Sequence, residues 1–227
     1  MNIELKTTVP EEEGSRLTLI KTRLHTPVIG DILDELGYRN QMLPPEIRPL
    51  RTDMVLAGRA MPVLIARVYA PQKRPFGLMT EALDQLQPGE IYLAGNAGAL
   101  CAAWGEIMTV TAEMRGATGA VIDGYHRDTR RVLEEDFPVF SHGGYAQDAR
   151  IRSIVLDYRV PIEIGRVRVN PGDLLFGDVD GVVAVPADIE EEVIGRALAK
   201  TATENHVRAS IRGGSSSSEA FARYDVL

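Results

Sequence analysis

Residues 104–129 read WGEIMTVTAEMRGATGAVIDGYHRDT, and this stretch passes from a helical pattern through a short apolar run to a pair of opposite charges. The helical pattern consists of four residues spaced at i, i+3, i+4 and i+7, namely Ile107, Val110, Thr111 and Met114. Gly116 then follows in the position of a C-terminal stop. The stretch therefore predicts an amphipathic helix that begins near Gly105.

The predicted start of this helix contains a glycine and an acid. Gly105 and Glu106 fall in the first turn, where backbone N–H groups lack intrahelical partners and the helix dipole is positive. The amides of Ile107 and Met108 could therefore hold a small anion such as a carboxylate. Alternatively, Glu106 only stabilises the helix end electrostatically, and this stretch by itself favours that simpler interpretation.

The apolar run after the helix predicts a strand over residues 120–123. It leads into His126 and then into Arg127 and Asp128, whose adjacent charges could form either a solvated turn or a site. The end of this strand and the start of the helix can converge on one edge of an α/β sheet, where open sheets commonly bind ligands.

The segments upstream predict a helix and several strands. Thr26 is the predicted N-cap of a helix with Pro27 in its first position and Gly37 as its stop. Residues 54–70 are rich in aliphatic and β-branched residues and predict two strands of a covered sheet, with breaks at Gly58 and Pro62. A further strand is predicted to end at Gly95-Asn96.

The segments downstream, over residues 135–143 and 152–186, predict an antiparallel, meandering region. Three acids lie in its turns, at Asp173, Asp178 and Asp180. They resemble a metal cluster, but they lack the spacing of a calcium loop, and turns favour aspartate for backbone reasons. Residues 187–212 predict a long helix with acids early and bases late, and a serine run then caps a further short helix.

Composition narrows the class of protein. The chain has 227 residues, of which 44% are hydrophobic and 25% charged, which is typical of a soluble protein with one large domain. No stretch is apolar enough for a membrane span, and the N-terminal segment has no secretory pattern, so we expect a cytoplasmic protein without membrane partners. A formal charge of −7 and the lack of basic runs disfavour nucleic-acid binding.

Several other kinds of site find little support in the sequence. The single cysteine, Cys101, lies among small apolar residues and is expected to be buried. The four histidines lack zinc-site spacing, and His126 is retained as a candidate only because it precedes Arg127. No nucleotide-binding glycine motif or serine-hydrolase motif occurs.

Glu106, the twenty residues that follow it and the Arg127-Asp128 pair resemble the acid-x20-Arg-Asp signature of the RraA-like family. This family includes the 4-hydroxy-4-methyl-2-oxoglutarate/4-carboxy-4-hydroxy-2-oxoadipate aldolases. The resemblance continues through FPVFSHGGYAQD, VNPGDLLFGDVDGVVAVP and EAFARYDVL, and covers most of the chain from Thr26 onward. It implies a three-layered α/β/β/α sandwich like that of swivelling phosphohistidine domains. It further implies that residues 1–227 form one domain with a helical tail over about 187–227, assembled as a homotrimer or a hexamer with sites between subunits.

The resemblance also implies a role for each residue of the signature. Asp128 would ligate a divalent cation, Mg²⁺ or Mn²⁺, with water completing the shell. Arg127 would contact the pyruvyl group and stabilise negative charge on its C2 oxygen. Glu106 would orient a water of the ion, in a position where the characterised aldolases more typically have aspartate.

Further residues are implied around this centre. The turn at Gly105 would bind the substrate carboxylate through the amides of Ile107 and Met108. A neighbouring subunit would supply an acid from its C-terminal helix, and Glu204 is the nearest match. The proton from the substrate hydroxyl would pass to water steered by Glu106, with His126 as a lesser candidate.

The implied activity is that of a metal-dependent pyruvate aldolase, which cleaves a 4-hydroxy-2-oxo acid to pyruvate and a second oxo acid. Oxaloacetate decarboxylation is expected as a side activity, because it passes through the same pyruvate enolate. Two alternatives stay open. The chain could be a non-catalytic inhibitor that binds an endoribonuclease, although the intact Glu106 and Arg127-Asp128 pattern favours an enzyme. It could also be a lyase of the same fold acting on a different oxo or hydroxy acid.

Overall fold

The computed structural model describes residues 9–95 and 98–226, and its central element is a mixed β-sheet. The helices are α1 (Glu13–Arg23), α2 (Thr26–Glu35), α3 (Met79–Asp84), α4 (Glu106–Met114), α5 (Thr129–Glu134), α6 (Glu190–Arg212) and α7 (Ser217–Tyr224). The strands are β1 (Arg48–Pro49), β2 (Leu56–Arg67), β3 (Glu90–Gly95), β4 (Ala102–Trp104), β5 (Gly119–Asp123), β6 (Tyr125–His126), β7 (Val139–Ser141), β8 (Ser153–Tyr158), β9 (Ile162–Ile164), β10 (Val167–Val169), β11 (Leu174–Asp178) and β12 (Gly181–Val185). Asn96, where one strand was predicted to end, lies outside the described residues.

The main sheet combines a parallel half with an antiparallel half. Its strands follow the order β1-β7-β5-β3-β2-β11-β12, and β8 pairs with a further part of β2. Strands β2, β3, β5 and β7 run parallel, whereas β11, β12 and β8 join antiparallel. The prediction of an antiparallel region is thus confirmed for β8 to β12. Strand β7 is mixed: it pairs antiparallel with β1 but parallel with β5, because helix α5 carries the chain back across the sheet.

Strand β2 is one continuous strand of 12 residues, so the prediction of two strands broken at Gly58 and Pro62 is wrong. Gly58 serves close packing, since a Cβ atom there would lie 2.6 Å from the carbonyl oxygen of Gly89. Pro62 lies where one edge of β2 changes partner: pairing with β11 ends at Arg59 and pairing with β8 begins at Val63. A residue without an N–H is tolerated at such a junction.

Three apolar clusters separate the layers of the molecule. The first packs α3, α4 and α5 against the parallel strands and contains Tyr92 and Trp104. The second packs α1, α2 and α6 against β11 and β12, around Phe176. The third lies between the two halves of the sheet and contains Phe140 and Leu175. The order of helix, strand, strand and helix confirms the α/β/β/α architecture, in which the three clusters separate four layers.

The acids of the predicted turns hold backbone groups. Asp178 accepts hydrogen bonds from the backbone N–H and the hydroxyl of Thr26, at 2.9 and 2.7 Å, and from the N–H of Asp180 at 2.9 Å. Thr26 is the first residue of α2, and His25 is the N-cap. The hydroxyl of Thr26 donates to Asp178 and does not cap the helix, so the prediction of Thr26 as the N-cap is wrong. Asp173 accepts from the N–H of Asn170 at 2.8 Å. These contacts confirm the turn interpretation for Asp173 and Asp178.

The C-terminal part of the chain follows the prediction closely. The long helix begins three residues later than predicted, at Glu190, and ends at Arg212. Ser216 then caps α7 through a capping box with Glu219. Cys101 is buried, as expected. Within residues 9–95 and 98–226, no helix has the length and apolar character needed to cross a membrane.

Candidate active site

A short parallel pair of strands brings the charged pair to the start of α4. Strand β6 pairs with β4 beside the main sheet, so the residues that follow the two strands are neighbours. The backbone N–H of Arg127, directly after β6, donates to the carbonyl oxygen of Trp104 at 3.0 Å. Arg127 and Asp128 therefore lie beside Gly105, although more than twenty residues separate them in sequence.

Gly105 and the carboxylate of Asp128 are in close contact. A Cβ atom built on Gly105 would lie 2.9 Å from Oδ2 of Asp128 and 3.4 Å from Cγ of Arg127. Gly105 has extended backbone angles that any residue can adopt. A side chain at position 105 would therefore press on the Asp128 carboxylate, which would have to shift.

The backbone of Asp128 starts the helix that follows it. Its φ of 57° lies in the left-handed region, which aspartate and asparagine adopt more readily than most residues. Its carbonyl oxygen accepts from the N–H groups of Arg131 and Val132 at 2.8 and 3.0 Å. Its carboxylate does not cap α5 and accepts no hydrogen bond from the other described residues. With the side chain 44% exposed, both oxygens are available to a ligand.

The guanidinium of Arg127 lies between two carboxylates. Its Nη1 forms an ion pair with Oδ1 of Asp148 at 2.9 Å, whereas its Nε is 3.7 Å from Oδ2 of Asp128, beyond hydrogen-bonding distance. Asp148 was not among the predicted site residues. Its only signal in the sequence is its place at the end of FPVFSHGGYAQD, and nothing in that spacing indicates contact with Arg127.

In the first turn of α4, the carbonyl oxygen of Gly105 is hydrogen-bonded, but no side chain caps the helix. The N–H and hydroxyl of Thr109 both donate to the carbonyl oxygen of Gly105, at 3.0 and 3.1 Å, and the indole N–H of Trp104 donates to that hydroxyl at 2.8 Å. Gly105 offers no capping side chain. Among the described residues, none accepts a hydrogen bond from the amides of Ile107 or Met108. These amides remain available for an anion.

Helix α4 does not bury the face that the sequence pattern defined. Thr109 and Ala112 are its buried residues. Ile107, Val110 and Met114 are 75%, 37% and 80% exposed. An apolar stripe of this kind normally packs against another surface. In the single chain it lies in solvent, directly beside the candidate site.

Glu106 adds negative charge on the same side of the molecule. It is the first residue of α4 and is half-buried. The carboxylate of Glu134, and at longer range that of Glu106, raises the pKa of the Arg131 guanidinium above its ordinary value. Arg131 belongs to α5, the helix that Asp128 starts. Glu106 thus acts electrostatically on Arg131, in the helix that follows Asp128.

His126 belongs to the framework beneath the site. Its side chain is buried, with Nδ1 2.7 Å from the hydroxyl of Ser141 and Nε2 2.9 Å from that of Thr129. Burial lowers the pKa of the imidazole below its ordinary value, which favours the neutral ring. Both ring nitrogens already have partners. The structure thus leaves His126 without a free nitrogen for the substrate proton.

Glu204 lies apart from this group in the single chain. It is on α6, in the helical layer that contains α2, and its Oε2 is 4.0 Å from Nε2 of His25. Helix α4 belongs to the helical layer on the other side of the sheet. Glu204 could therefore join the site only from a neighbouring copy of the chain.

The donor set suits one kind of cation. No group of three or more His, Cys, Asp or Glu side chains within the described ranges could enclose a metal ion. Asp128, however, presents at the surface a carboxylate that accepts no hydrogen bond from the other described residues, and Glu106 is the first residue of α4. Mg²⁺ binds through one or two carboxylates and keeps several waters, so these residues fit such an ion and do not fit a cation with an all-protein shell.

Replacing Gly105 by alanine should disturb the site without disturbing the fold. The added methyl group would lie within 2.9 Å of Oδ2 of Asp128, so the carboxylate must move. We expect Mn²⁺ affinity to fall about tenfold or more, by analogy with the loss of groups that orient metal ligands. Isothermal titration with Mn²⁺ measures this effect, and thermal unfolding should be nearly unchanged. Unaltered Mn²⁺ affinity in Gly105→Ala would contradict it.

Comparison with known proteins supplies a family. The profile described as "RraA-like: Aldolase/RraA" matches residues 26–184. The chain is 29% identical over 186 residues to a Halalkalibacterium halodurans protein named "Putative 4-hydroxy-4-methyl-2-oxoglutarate aldolase", covering 79% of this chain and 80% of that protein. It is also 29% identical over 196 residues to Protein DlpA of Legionella pneumophila, where the match covers 85% of this chain but spans only 31% of that longer protein.

Solved structures agree with the fold. An uncharacterized protein from Pseudomonas syringae pv. tomato superposes with a TM-score of 0.79 at 32% identity, covering 90% of this chain and 95% of that one. Streptomyces coelicolor RraAS2, described as an unusual member of the RNase ES inhibitor RraA protein family, superposes with a TM-score of 0.76 at 26% identity, covering 86% and 96%.

Proposed function

The chain belongs to the RraA-like family, whose α/β/β/α fold it shares, and we propose that it is a divalent-metal-dependent carbon–carbon lyase that releases pyruvate from a 4-hydroxy-2-oxo acid. The observation that carries the proposal is the contact of Gly105, Arg127 and Asp128 at the start of α4. The name of the Halalkalibacterium halodurans relative supports 4-hydroxy-4-methyl-2-oxoglutarate as a substrate to test first.

The site residues suit retro-aldol chemistry. The substrate carboxylate would bind the amides of Ile107 and Met108, whose N–H groups point out from the positive end of the helix. This places the C2 oxygen near Arg127. As the C3–C4 bond breaks, its electron pair moves into an enolate of pyruvate, and the guanidinium stabilises the charge that develops on that oxygen. Protonation at C3 then gives pyruvate.

Asp128 would hold the divalent cation, with Glu106 orienting water around it. When bound, such an ion supplies Lewis-acid stabilisation of the oxo acid. The proton of the C4 hydroxyl needs an acceptor, and Glu106, acting directly or through water, is the carboxylate of this group that does not bind the ion. The same arrangement would decarboxylate oxaloacetate, since that reaction forms the same enolate.

Pyruvate release tests the proposal. The protein is incubated with oxaloacetate and with a panel of 4-hydroxy-2-oxo acids, and pyruvate is followed by a coupled lactate dehydrogenase assay. We expect release that EDTA abolishes and that Mg²⁺ or Mn²⁺ restores. Release of pyruvate that EDTA does not affect would contradict metal dependence, and no release from any substrate in the presence of Mn²⁺ would contradict the lyase.

The exposed face of α4 supports a site shared between copies of the chain. Ile107 belongs both to the anion-binding turn and to the exposed stripe with Val110 and Met114, so a second copy packed on α4 would cover the site. Such packing would remove apolar surface from water, and an α6 helix of the neighbour could then bring Glu204 to the ion. We therefore include a homotrimer or hexamer in the proposal.

A charge placed on this stripe should break the assembly. Met114→Glu puts a carboxylate in the proposed apolar interface, where an unpaired charge is costly. We expect light scattering after size exclusion to show a single chain in place of the oligomer, with reduced pyruvate release. Leu156→Glu is the matched control, because Leu156 is also exposed but lies on strand β8, in neither α4 nor α6. An unchanged oligomer in Met114→Glu would exclude this face as the interface.

The second candidate function is inhibition of an endoribonuclease by binding. The similarity to Streptomyces coelicolor RraAS2 favours it, and the exposed stripe on α4 would then contact the ribonuclease. Dependence on Asp128 and on a metal ion distinguishes the inhibitor from the lyase. A binding inhibitor needs neither Asp128 nor a metal, whereas the proposed lyase needs both.

A further inference from the structure

We propose that Asp148 is a positioning residue that draws the Arg127 guanidinium away from Asp128 and so keeps the Asp128 carboxylate available to a divalent cation. The inference rests on the proposed function, since it concerns the same site. It adds a residue that neither the sequence pattern nor the family resemblance indicated.

The first argument is the unequal contact of Arg127 with its two acids. Nη1 of Arg127 forms an ion pair with Oδ1 of Asp148 at 2.9 Å, while its Nε is 3.7 Å from Oδ2 of the neighbouring Asp128. All three side chains are between 38% and 44% exposed, so neither acid is favoured by burial. The closer ion pair with Asp148 is therefore what sets the position of the guanidinium.

The second argument is that Asp148 is itself fixed. Its Oδ2 accepts the N–H of Arg150 at 2.9 Å, and its carbonyl oxygen accepts Nη1 of Arg152 at 3.0 Å. The carbonyl oxygen of Gln147 accepts the N–H of Ala102, on β4, at 2.8 Å. The loop is thereby tied to the strand that leads into Gly105, so Asp148 can hold Arg127 in a defined place relative to the site.

The third argument is what Arg127 would do without this partner. Arginine and carboxylate readily form two parallel hydrogen bonds, and Asp128 is the adjacent residue with oxygens that the other described residues leave free. Such a pair would occupy the carboxylate needed by the cation and would turn the guanidinium away from the oxo acid. Asp148 uses one end of a group that has five N–H donors, which leaves donors for the substrate.

The test measures metal binding and side-chain position as well as activity. Asp148→Asn removes the charged acceptor but keeps an oxygen for the N–H of Arg150. We expect the Mn²⁺ dissociation constant to rise about tenfold, as is typical when a group that orients a metal ligand is lost, with a comparable fall in kcat. A crystal structure of Asp148→Asn should show Arg127 bonded to Asp128.

A double-mutant cycle separates positioning from loss of charge. In an Arg127→Ala background, Asp148→Asn should leave Mn²⁺ affinity within about twofold, because there is no guanidinium left to hold. Asp157→Asn serves as the matched control, since Asp157 lies on β8 and its carboxylate accepts only the N–H of Tyr158 among the described residues. It should change neither Mn²⁺ affinity nor kcat.

Each outcome decides the proposal. An equal loss of Mn²⁺ affinity with and without Arg127 overturns it, because Asp148 then acts only as a distant charge. It is also overturned if Arg127 stays apart from Asp128 in the Asp148→Asn crystal structure. If the wild-type protein releases no pyruvate, the proposed lyase activity fails, and if it binds no Mn²⁺, the proposed metal dependence fails. In either case the position of Arg127 in the Asp148→Asn crystal structure still decides the role of Asp148.

Discussion

Asp128→Asn should abolish metal-dependent release of pyruvate while leaving the fold intact. The substitution removes the negative charge of the proposed cation ligand but keeps the size of the side chain. Loss of groups that only orient a ligand costs about 10–100-fold in metal affinity or activity, so loss of the ligand itself should lower kcat/KM at least about 100-fold. Steady-state kinetics with saturating Mn²⁺ and titration with Mn²⁺ measure both effects.

Asparagine is a cleaner replacement than alanine at this position. Asp128 has a φ of 57°, and a residue without a short polar side chain pays about 1–2 kcal/mol for left-handed backbone angles. Asparagine tolerates them, so the melting temperature should stay close to that of the wild type.

A matched control is available for Asp128. Asp136 has nearly the same left-handed φ, 55°, and lies on the surface just after α5. Asp136→Asn should therefore leave pyruvate release and Mn²⁺ binding unaltered. If Asp128→Asn keeps more than about a tenth of wild-type kcat/KM at saturating Mn²⁺, Asp128 is not the ligand on which the reaction depends.

Arg127→Ala should lower kcat by about 100- to 1000-fold, the range found when one donor to a developing oxyanion is removed. The guanidinium is proposed to bind the C2 oxygen most strongly as the enolate forms, so the loss should appear mainly in kcat. Mn²⁺ affinity should not fall, because the cation is held by Asp128 and a nearby positive charge has been removed. Asp128→Asn should therefore weaken Mn²⁺ binding, whereas Arg127→Ala should not.

Arg127→Lys tests whether charge alone is sufficient. Lysine keeps the positive charge but lacks the planar fork that can bond Asp148 and the substrate at once. We expect activity between those of the wild type and the alanine variant. Arg130→Ala is the control, since Arg130 is almost fully exposed and contacts Glu134 on α5. Full activity in Arg127→Ala would remove the guanidinium from the mechanism.

Much of the local structure could be predicted from the sequence because it depends on near neighbours. The helix over 106–114, the strand over 119–123 and the charged loop after it follow from spacing, glycine stops and apolar runs. The pattern also identified Arg127 and Asp128 as a pair of interest, and their family resemblance implied the α/β/β/α fold. The helix, the strand and the charged loop are each properties of a segment of fewer than about thirty residues.

The failed predictions concern partners that are distant in sequence. Thr26 has the features of an N-cap, yet Asp178, 152 residues away, accepts its hydroxyl. Pro62 has the features of a strand break, yet β2 continues because its edge changes partner there. A local pattern contains no information on which segment will lie opposite.

The sequence by itself determined several elements, including α4, β5, α6 and α7, and the chemical types of the site residues, because backbone propensity and apolar spacing act between close neighbours. Only the tertiary structure decided which of these residues meet. It placed Gly105 against the Asp128 carboxylate, paired the Arg127 guanidinium with the Asp148 carboxylate and left the apolar stripe of α4 in solvent. Those outcomes depend on how the strands pair and how the sheet folds over, and this is set by packing of the whole chain.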